Sequence, residues 1–214
     1  MHVLVGHLGD FAAGMRLTAA LTLASFAGAL VIGVLVAACR VSPVAPLRAA
    51  GTAYVEIIRN IPLLVLIVLF YFGFTKIGIR YTQFPSAVIV LSVYTGAFVA
   101  EVVRSGVNTV ARGQAEAARA LGLTFPQSLR LVVLPQALRA VVAPIGNLFI
   151  ALIKNSSLAS VISVMELGFV ADKLITNTAQ PFAVLLGTAV AYLLLALPAG
   201  GLFRVLERRV AIKR

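Results

Sequence analysis

Five long apolar segments, separated by short polar stretches, constrain this chain more than any other feature. The first segment runs from Leu17 to Cys39, twenty-three residues without a charged side chain. About 20 apolar residues in a helix cross a hydrocarbon core of about 30 Å. With 61% hydrophobic and only 12% charged residues, the 214-residue chain is far more apolar than a soluble domain. The sequence therefore predicts an all-α, multi-pass membrane protein that forms one domain over residues 1–214.

The expected spans cover residues 17–39, 54–75, 82–103, 136–154 and 180–204, with a polar loop over 107–135. The second span contains Pro62, which removes a backbone hydrogen bond and predicts a kink. Arg59 lies just before this kink and has two open interpretations. It either lines a pathway or pairs with Glu56, three residues earlier on the same helix.

Small residues in the first span indicate how it packs. Gly28 and Gly33 lie among them, which favours close packing against another helix. Glu101 and Arg104 end the third span at a spacing that places them on one helical face. With no second carboxylate, serine–histidine pair or metal-ligand cluster beside it, Glu101 is interpreted as a structural or gating ion-pair residue rather than a general base.

The polar stretch Gly113–Pro135 has helical signals of its own. The residues around Glu116 are strong helix formers, and Arg119 follows three residues later, close enough to pair on the same face. Gly122 predicts the end of this helix, because glycine readily adopts the left-handed conformation beyond a helix C-terminus. The loop is thus predicted to contain an ordered helix.

A second helix is predicted to begin directly after that turn. Thr124 and Gln127 have the spacing of a capping box, and Pro126 is tolerated in a first helical turn. Pro135 is expected to stop or kink the helix that follows. The loop therefore has a helix–glycine–helix organisation between two apolar segments.

The same stretch resembles a motif of a known transporter class. Its residues match the EAA loop of ABC-importer permeases at Glu116-Ala117-Ala118, Gly122, Val132 and Leu134-Pro135, with valine at 132 where that family usually has isoleucine. The resemblance implies a type I importer permease fold, in which this loop is a cytoplasmic coupling helix seated in a groove of a partner ATPase. The residues implied in coupling are Gln114, Glu116, Ala117, Ala118, Arg119 and Gly122.

Lys154-Asn155-Ser156-Ser157 interrupts an apolar run, and this pattern has two open interpretations. One is a broken helix, whose unwound backbone holds a polar substrate near the middle of the membrane. The other is a helix end, from which Lys154 reaches the outer interface. The block resembles the K-[DN]-[ST]-S-L element of polar amino acid permeases, and Arg59–Val65 resembles their R-G-T-P-L-L-V block. The candidate substrate-binding residues are Arg59, Lys154, Asn155, Ser156 and Ser157.

The substrate expected from the resemblance is glutamate or a related acidic or amide amino acid, with a basic amino acid as the alternative. Four segments resemble glutamate-uptake permeases: Arg40–Val44, Ala53-Tyr54, Arg59-Asn60 and Ser105–Val110. Lys154 and Arg59 would suit an acidic substrate. Asn155 in place of an aspartate avoids a carboxylate beside an anion.

The distribution of positive charge predicts the orientation in the membrane. With five spans, thirteen of the 18 Lys and Arg residues share one side: Arg40, Arg48, Arg59, Arg104, Arg112, Arg119, Arg130, Arg139, Arg204, Arg208, Arg209, Lys213 and Arg214. The other side keeps five: Arg16, Lys76, Arg80, Lys154 and Lys173. Because cytoplasmic loops carry the excess of Lys and Arg, the N-terminus is expected outside and the C-terminus in the cytoplasm of a bacterial cell.

The net charge of +11 follows the flanks of the spans rather than an aromatic-interleaved patch, so no nucleic-acid partner is expected. No G-x-x-x-x-G-K-[ST] loop occurs, so ATP and Mg²⁺ are expected on a separate ATPase subunit. The other expected partners are a second permease subunit, identical or a sister chain, an extracellular amino-acid-binding protein, and the lipid membrane. A membrane enzyme and a non-transport scaffold are the competing function classes.

Overall fold

Helices form every regular element in the part of the chain that the structure describes, residues 2–79 and 81–210. The structure is a computed structural model. The helices are α1 (His2–Gly6), α2 (Leu8–Val41), α3 (Ala45–Asn60), α4 (Leu63–Val68), α5 (Phe74–Lys76), α6 (Gln83–Asn108), α7 (Arg112–Ala120), α8 (Phe125–Ser128), α9 (Leu134–Asn155), α10 (Leu167–Thr178) and α11 (Pro181–Val210). Of the charges used for orientation, Arg80, Lys213, Arg214 and the side chain of Arg112 lie outside the described residues.

Four helical segments are long and apolar enough to cross a membrane: Leu8–Val41, Gln83–Asn108, Phe125–Ile162 and Pro181–Val210. Ala45–Asn60 and Leu63–Lys76 reach this length and hydrophobicity only when taken together, and they are bent relative to each other. The all-helical, multi-pass architecture is therefore confirmed. Every segment ends beyond the bound expected from the uncharged run, because helical hydrogen bonding continues past the first charged side chain.

The second apolar segment, expected as one span over 54–75, consists of two helices that meet at 103°. The break falls at Ile61 and Pro62. Proline lacks an N–H and disfavours a helical conformation in the residue before it. Ile61 is accordingly extended, with φ −94° and ψ 130°. Arg59 and Asn60 thus end one helix, and apolar Leu63 begins another that points in a different direction.

The fourth segment is longer than the expected span 136–154 and is helical from Phe125 to Ile162. Pro135, which was expected to stop or kink this segment, does not stop it. A π-helical turn over Leu129–Val133 lies just before this proline, with only Leu134 between them. Such a wider turn commonly adapts a helix to a local irregularity. The helix therefore continues from the polar loop to the Lys154–Ser157 segment without interruption.

Close packing of α2 against α6 depends on the two glycines noted in the sequence. A Cβ at Gly28 would lie 2.5 Å from the Ser92 hydroxyl, and one at Gly33 would overlap the Val99 side chain. The Ser92 hydroxyl also donates a hydrogen bond to the Ser25 carbonyl, 3.1 Å away. Small residues at such contacts let two backbones approach within hydrogen-bonding reach.

The largest buried cluster joins the two interrupted segments. Leu21 of α2, Ile67 of α4, Leu91 of α6, Leu152 of α9 and Ile162 of the turn after α9 pack together, each at most 2% exposed. The helix that begins after Pro62 and the turn that follows Lys154–Ser157 therefore share one core. This core fixes the position of both candidate substrate regions relative to α6.

Candidate functional site

The predicted helix of the polar loop is present as α7, and its C-terminus has the predicted glycine turn. Gly122 has φ +85°. Its N–H donates to the Arg119 carbonyl at 3.0 Å, and the Leu123 N–H donates to the Ala118 carbonyl at 3.2 Å. These two bonds form a Schellman motif, which satisfies carbonyls at the helix end. The turn ends α7 and reverses the chain toward α8.

The second helix begins at the predicted cap. The Gln127 side-chain oxygen accepts the Thr124 N–H at 2.8 Å, so the expected capping box is present. On the two sides of the Gly122 turn, Leu121 is 84% exposed and Phe125 is 70% exposed. Two large apolar side chains at the tip of a polar loop form an exposed surface of the kind that contacts a partner protein.

The residues implied in coupling divide between two faces of α7. Ala118 is buried, whereas Gln114, Glu116, Ala117 and Arg119 are exposed. Glu116 and Arg119 both line a cavity of about 230 Å³ beneath the loop. Within the described side chains, however, no ion pair joins them, so the expected pairing is wrong. Their role in coupling stays a prediction.

Glu101 is the centre of an ion-pair cluster that joins three helices. Its carboxylate accepts hydrogen bonds from Arg40 of α2 and from Arg104 of α6, each at 2.6 Å. Arg59 of α3 lies 3.7 Å from the same carboxylate. The expected pair between Glu101 and Arg104 is therefore present, and two arginines from distant parts of the sequence join it. We refer to Arg40, Arg59, Glu101 and Arg104 as the Glu101 cluster.

Arg59 does not form the pair with Glu56 that the sequence left open, within the described side chains. Besides its contact with Glu101, its guanidinium lies 5.1 Å from the centre of the Phe98 ring, a cation–π distance. Both residues face a polar cavity of about 370 Å³, lined by Arg40, Val55, Glu56, Arg59, Asn60, Phe98 and Glu101. Arg59 thus lines a polar cavity, but its charge is shared with Glu101.

The Lys154–Ser157 segment is helical rather than unwound. α9 ends at Asn155, and a 3₁₀ helix continues over Ser156–Ile162. The Ser156 hydroxyl donates to the Ile153 carbonyl and the Ser157 hydroxyl to the Lys154 carbonyl, each at 2.8 Å. Of the two interpretations, the unwound break is therefore wrong at these residues, because a tighter helix keeps the backbone hydrogen-bonded.

Two of the four side chains in this segment remain available for a ligand. Lys154 is exposed and Asn155 is half-buried. In the part of the chain that the structure describes, no hydrogen bond or ion pair engages either side-chain head group. Ser156 is fully buried, and both serine hydroxyls already bond to backbone carbonyls. Lys154 and Asn155 are thus the polar groups that a substrate would meet here.

Glu166 is a buried polar residue that the sequence analysis missed. It caps the N-terminus of α10, where its carboxylate accepts the N–H groups of Gly168 and Phe169 at 2.8 and 2.9 Å. The Tyr192 hydroxyl donates to the same carboxylate at 2.9 Å. Burial raises the pKa of the Glu166 carboxyl, and these hydrogen bonds oppose the rise. The signal was available, since Glu166 is the only charged residue between Lys154 and Asp172.

Residues 29–212 match the sequence profile of a protein family described as "binding-protein-dependent transport system inner membrane component". The chain belongs to this family. Within the described residues, no group of three His, Cys, Asp or Glu side chains is placed to hold a metal ion.

Individual members of the family resemble the chain over nearly its whole length. The chain is 42% identical over 186 residues to the "probable glutamine ABC transporter permease protein GlnM" of Bacillus subtilis, covering 87% of this chain and 86% of the relative. It is 41% identical over 210 residues to the glutamate transport system permease protein GluC of Corynebacterium efficiens, covering 92% of each. These relatives are permease subunits rather than enzymes.

A solved structure supports the same assignment. The crystal structure of an amino acid ABC transporter with histidines contains a chain that superposes on this permease with a TM-score of 0.91. The two are 33% identical, and the alignment covers 96% of each chain. This chain is therefore a multi-pass membrane permease with the fold of a type I ABC importer.

Proposed function

We propose that this permease moves a polar amino acid, glutamine or glutamate, into the bacterial cytoplasm, driven by ATP hydrolysis on a partner subunit. The observation that carries the proposal is the position of α7. It is an exposed helix whose two flanking segments lead directly to the two candidate substrate regions. α6 leads to the Glu101 cluster, and the helix from Phe125 to Ile162 leads to Lys154 and Asn155.

The coupling would work through these two rigid connections. An ATPase that binds α7 moves α6 and the helix beginning at Phe125 together, since both are anchored at the loop. The Glu101 cluster transmits the motion of α6 to α2 through a charge-assisted hydrogen bond from Arg40, and to α3 through an ion pair with Arg59. The 103° break after α3 then allows α4 to follow a different path. Rigid-body motion of packed helices is a common route for such transitions.

The choice of substrate rests on the polar groups and on the relatives. The relatives include permeases described for glutamine and for glutamate. At the candidate segment, Lys154 presents a positive charge and Asn155 a neutral amide, and neither presents a carboxylate to a cationic side chain. Because Arg59 shares its charge with Glu101, an acidic side chain gains less from it than the sequence suggested. An amide or an acidic amino acid therefore suits the region better than a basic one.

The partners proposed are two ATPase subunits, a second permease subunit of the same or a sister chain, and an extracellular amino-acid-binding protein. A single chain presents one α7, and two ATPase sites need two such helices. The same arrangement places α7 and the C-terminus in the cytoplasm and the N-terminus outside, in agreement with the excess of arginine near α7 and the end of α11. ATP and Mg²⁺ belong to the ATPase in this proposal.

Purification and reconstitution test the proposal. The chain, tagged and expressed in its own cells, should co-purify with an ATPase in a fixed ratio. Proteoliposomes that contain this complex, with the loaded binding protein added outside, should take up labelled L-glutamine or L-glutamate only when ATP is enclosed in the vesicles. Preferential uptake of L-arginine would favour the basic alternative. An isolated chain without an ATPase, and without any ATP-dependent uptake, would contradict the proposal.

A further inference from the structure

Glu166 carries more hydrogen bonds than a helix cap requires. The carboxylate is 0% exposed and accepts three donors, two from the backbone of α10 and one from Tyr192 of α11. An exposed Ser, Thr or Asp would cap α10 without the cost of burying a charge. Because the buried carboxylate also accepts a hydrogen bond from a tyrosine of α11, it joins α10 to α11 as well as capping α10.

The pair lies directly against the candidate substrate segment. A Cβ at Gly168 would lie 2.7 Å from the Glu166 carboxylate and 3.2 Å from the Ser157 carbonyl oxygen, so the three residues are in close contact. The Gly168 N–H also donates to the Glu166 carboxylate at 2.8 Å. A contact path therefore runs from Tyr192 through the Glu166 carboxylate and Gly168 to Ser157, the last residue of the Lys154–Ser157 segment.

The turn that carries Glu166 is itself fixed from other sides. The Leu167 N–H donates to the Thr18 hydroxyl of α2 at 3.1 Å. Ser163 adopts a left-handed conformation with φ +63°, which a non-glycine residue keeps only where its surroundings determine it. The turn is thus held by α2 and α11 while it contacts the 3₁₀ helix that begins at Ser156.

We propose that Glu166, held in place by the Tyr192 hydroxyl, is a positioning residue that keeps the Lys154–Ser157 segment in the orientation that presents Lys154 and Asn155 to the amino acid. This inference rests on the proposed function of that segment. Glu166 itself does not touch the substrate. The Tyr192 hydroxyl orients the carboxylate, the carboxylate holds the Gly168 N–H, and Gly168 packs against Ser157, close to Lys154 and Asn155 at the end of α9.

The first test compares Tyr192→Phe with Thr188→Val in the complete complex. Thr188 lies one turn earlier on α11, is buried, and its hydroxyl bonds only to the Val184 carbonyl of its own helix. Both variants remove one hydroxyl, but only Tyr192→Phe removes the link to Glu166. We expect Tyr192→Phe to weaken binding of labelled L-glutamine to the complex about tenfold, the size of one hydrogen bond to a charged group. Thr188→Val should bind as the wild type does.

Thermal unfolding of the same samples separates positioning from folding. Tyr192→Phe should melt a few degrees lower than Thr188→Val, because a buried carboxylate loses one donor, but both variants should remain folded at the temperature of the binding measurement. A common loss of both stability and binding in the two variants would assign Tyr192 a structural role and overturn the inference. The inference would also be overturned if Tyr192→Phe bound L-glutamine as tightly as the wild type does.

Glu166→Asp provides a second variant that keeps the helix cap. Aspartate is a good N-cap residue, but its shorter side chain does not reach the Tyr192 hydroxyl from the same backbone position. It should therefore weaken L-glutamine binding as Tyr192→Phe does, and the double variant should lose little more, because both remove one interaction. Additive losses would overturn the inference. If the wild-type complex bound neither L-glutamine nor L-glutamate, both the proposed function and the positioning role of Glu166 would fail. If the wild-type complex binds and Tyr192→Phe binds equally well, only the positioning role is overturned.

Discussion

The guanidinium of Arg40 lies 2.6 Å from the carboxylate of Glu101, although sixty-one residues separate them in the chain. The contact joins the end of α2 to the part of α6 that leads into α7. Arg104 approaches the other oxygen of the same carboxylate at the same distance. Glu101 therefore balances positive charge from two directions, and Arg59 adds a third at 3.7 Å.

Removing this carboxylate should destabilise the permease. Glu101→Gln leaves the Arg40 guanidinium, which is 10% exposed, without its counter-charge, and we expect a loss of about 1–3 kcal/mol in the free energy of unfolding. Arg40→Gln should cost a similar amount, and the double variant less than the sum of both. Thermal unfolding in detergent measures these differences. Arg48→Gln is the control, since Arg48 bonds only to carbonyls at an exposed site. An equal effect of the control would contradict the cluster's role.

Gly122→Pro should separate ATP hydrolysis from uptake. Proline cannot adopt the φ of +85° found at this turn, so α7 would lose its defined end and its orientation. We expect the complex to assemble in the membrane and hydrolyse ATP while uptake of L-glutamine falls at least about tenfold, as expected when a rigid connection is lost. Gly113→Ala is the control, because a Cβ there meets nothing within 4 Å. Normal uptake by Gly122→Pro would remove the role assigned to this turn.

Glu116→Lys should weaken binding of the ATPase. Glu116 is exposed on α7, and reversal of its charge changes a surface that the resemblance places against the partner. The expected result is a smaller amount of ATPase that co-purifies with the permease, with unchanged membrane insertion. Glu207→Lys makes the same charge reversal at an exposed position of α11 and should leave the ATPase bound. If both variants retained the ATPase equally, α7 would not be its docking site.

Asn155→Asp should change the preference among amino acids. A carboxylate beside Lys154 repels an acidic substrate and attracts a basic one, and a single unscreened contact of this kind shifts relative uptake about tenfold. Competition of L-glutamate and L-arginine against labelled L-glutamine measures the change. Asn177→Asp adds the same charge to an exposed position of α10 and should leave the preference as it is. An unchanged preference in Asn155→Asp would place the substrate elsewhere.

Gly33→Val should separate α2 from α6. The new side chain would overlap Val99, and forcing extra atoms into a packed interface costs about 1–3 kcal/mol. Gly201→Ala, where a Cβ meets nothing within 4 Å, should leave the melting temperature unchanged or raise it. Equal melting temperatures for Gly33→Val and the wild type would show that this interface tolerates separation.

Features that depend on short stretches of chain could be predicted before the structure was known. Long uncharged runs predicted the membrane helices, because only helices satisfy the backbone within an apolar solvent. Three features of the polar loop were also predictable, because each depends on residues within one or two helical turns. They are the helix α7, the glycine turn at Gly122 and the capping box at Thr124. The residues implied in coupling and the substrate remain predictions from resemblance.

Contacts between residues far apart in the chain became visible once the helices were packed together. Pro62 predicted a break, but the angle of 103° depends on the core that α4 shares with Leu21, Leu91 and Ile162. Arg59 had a nearby candidate partner in sequence, yet Glu101 on another helix lies within ion-pairing distance of it. The burial of Glu166 follows from α2 and α11 closing over its turn. Contacts of this kind are set by how whole helices pack, and the pattern along any one helix does not contain that information.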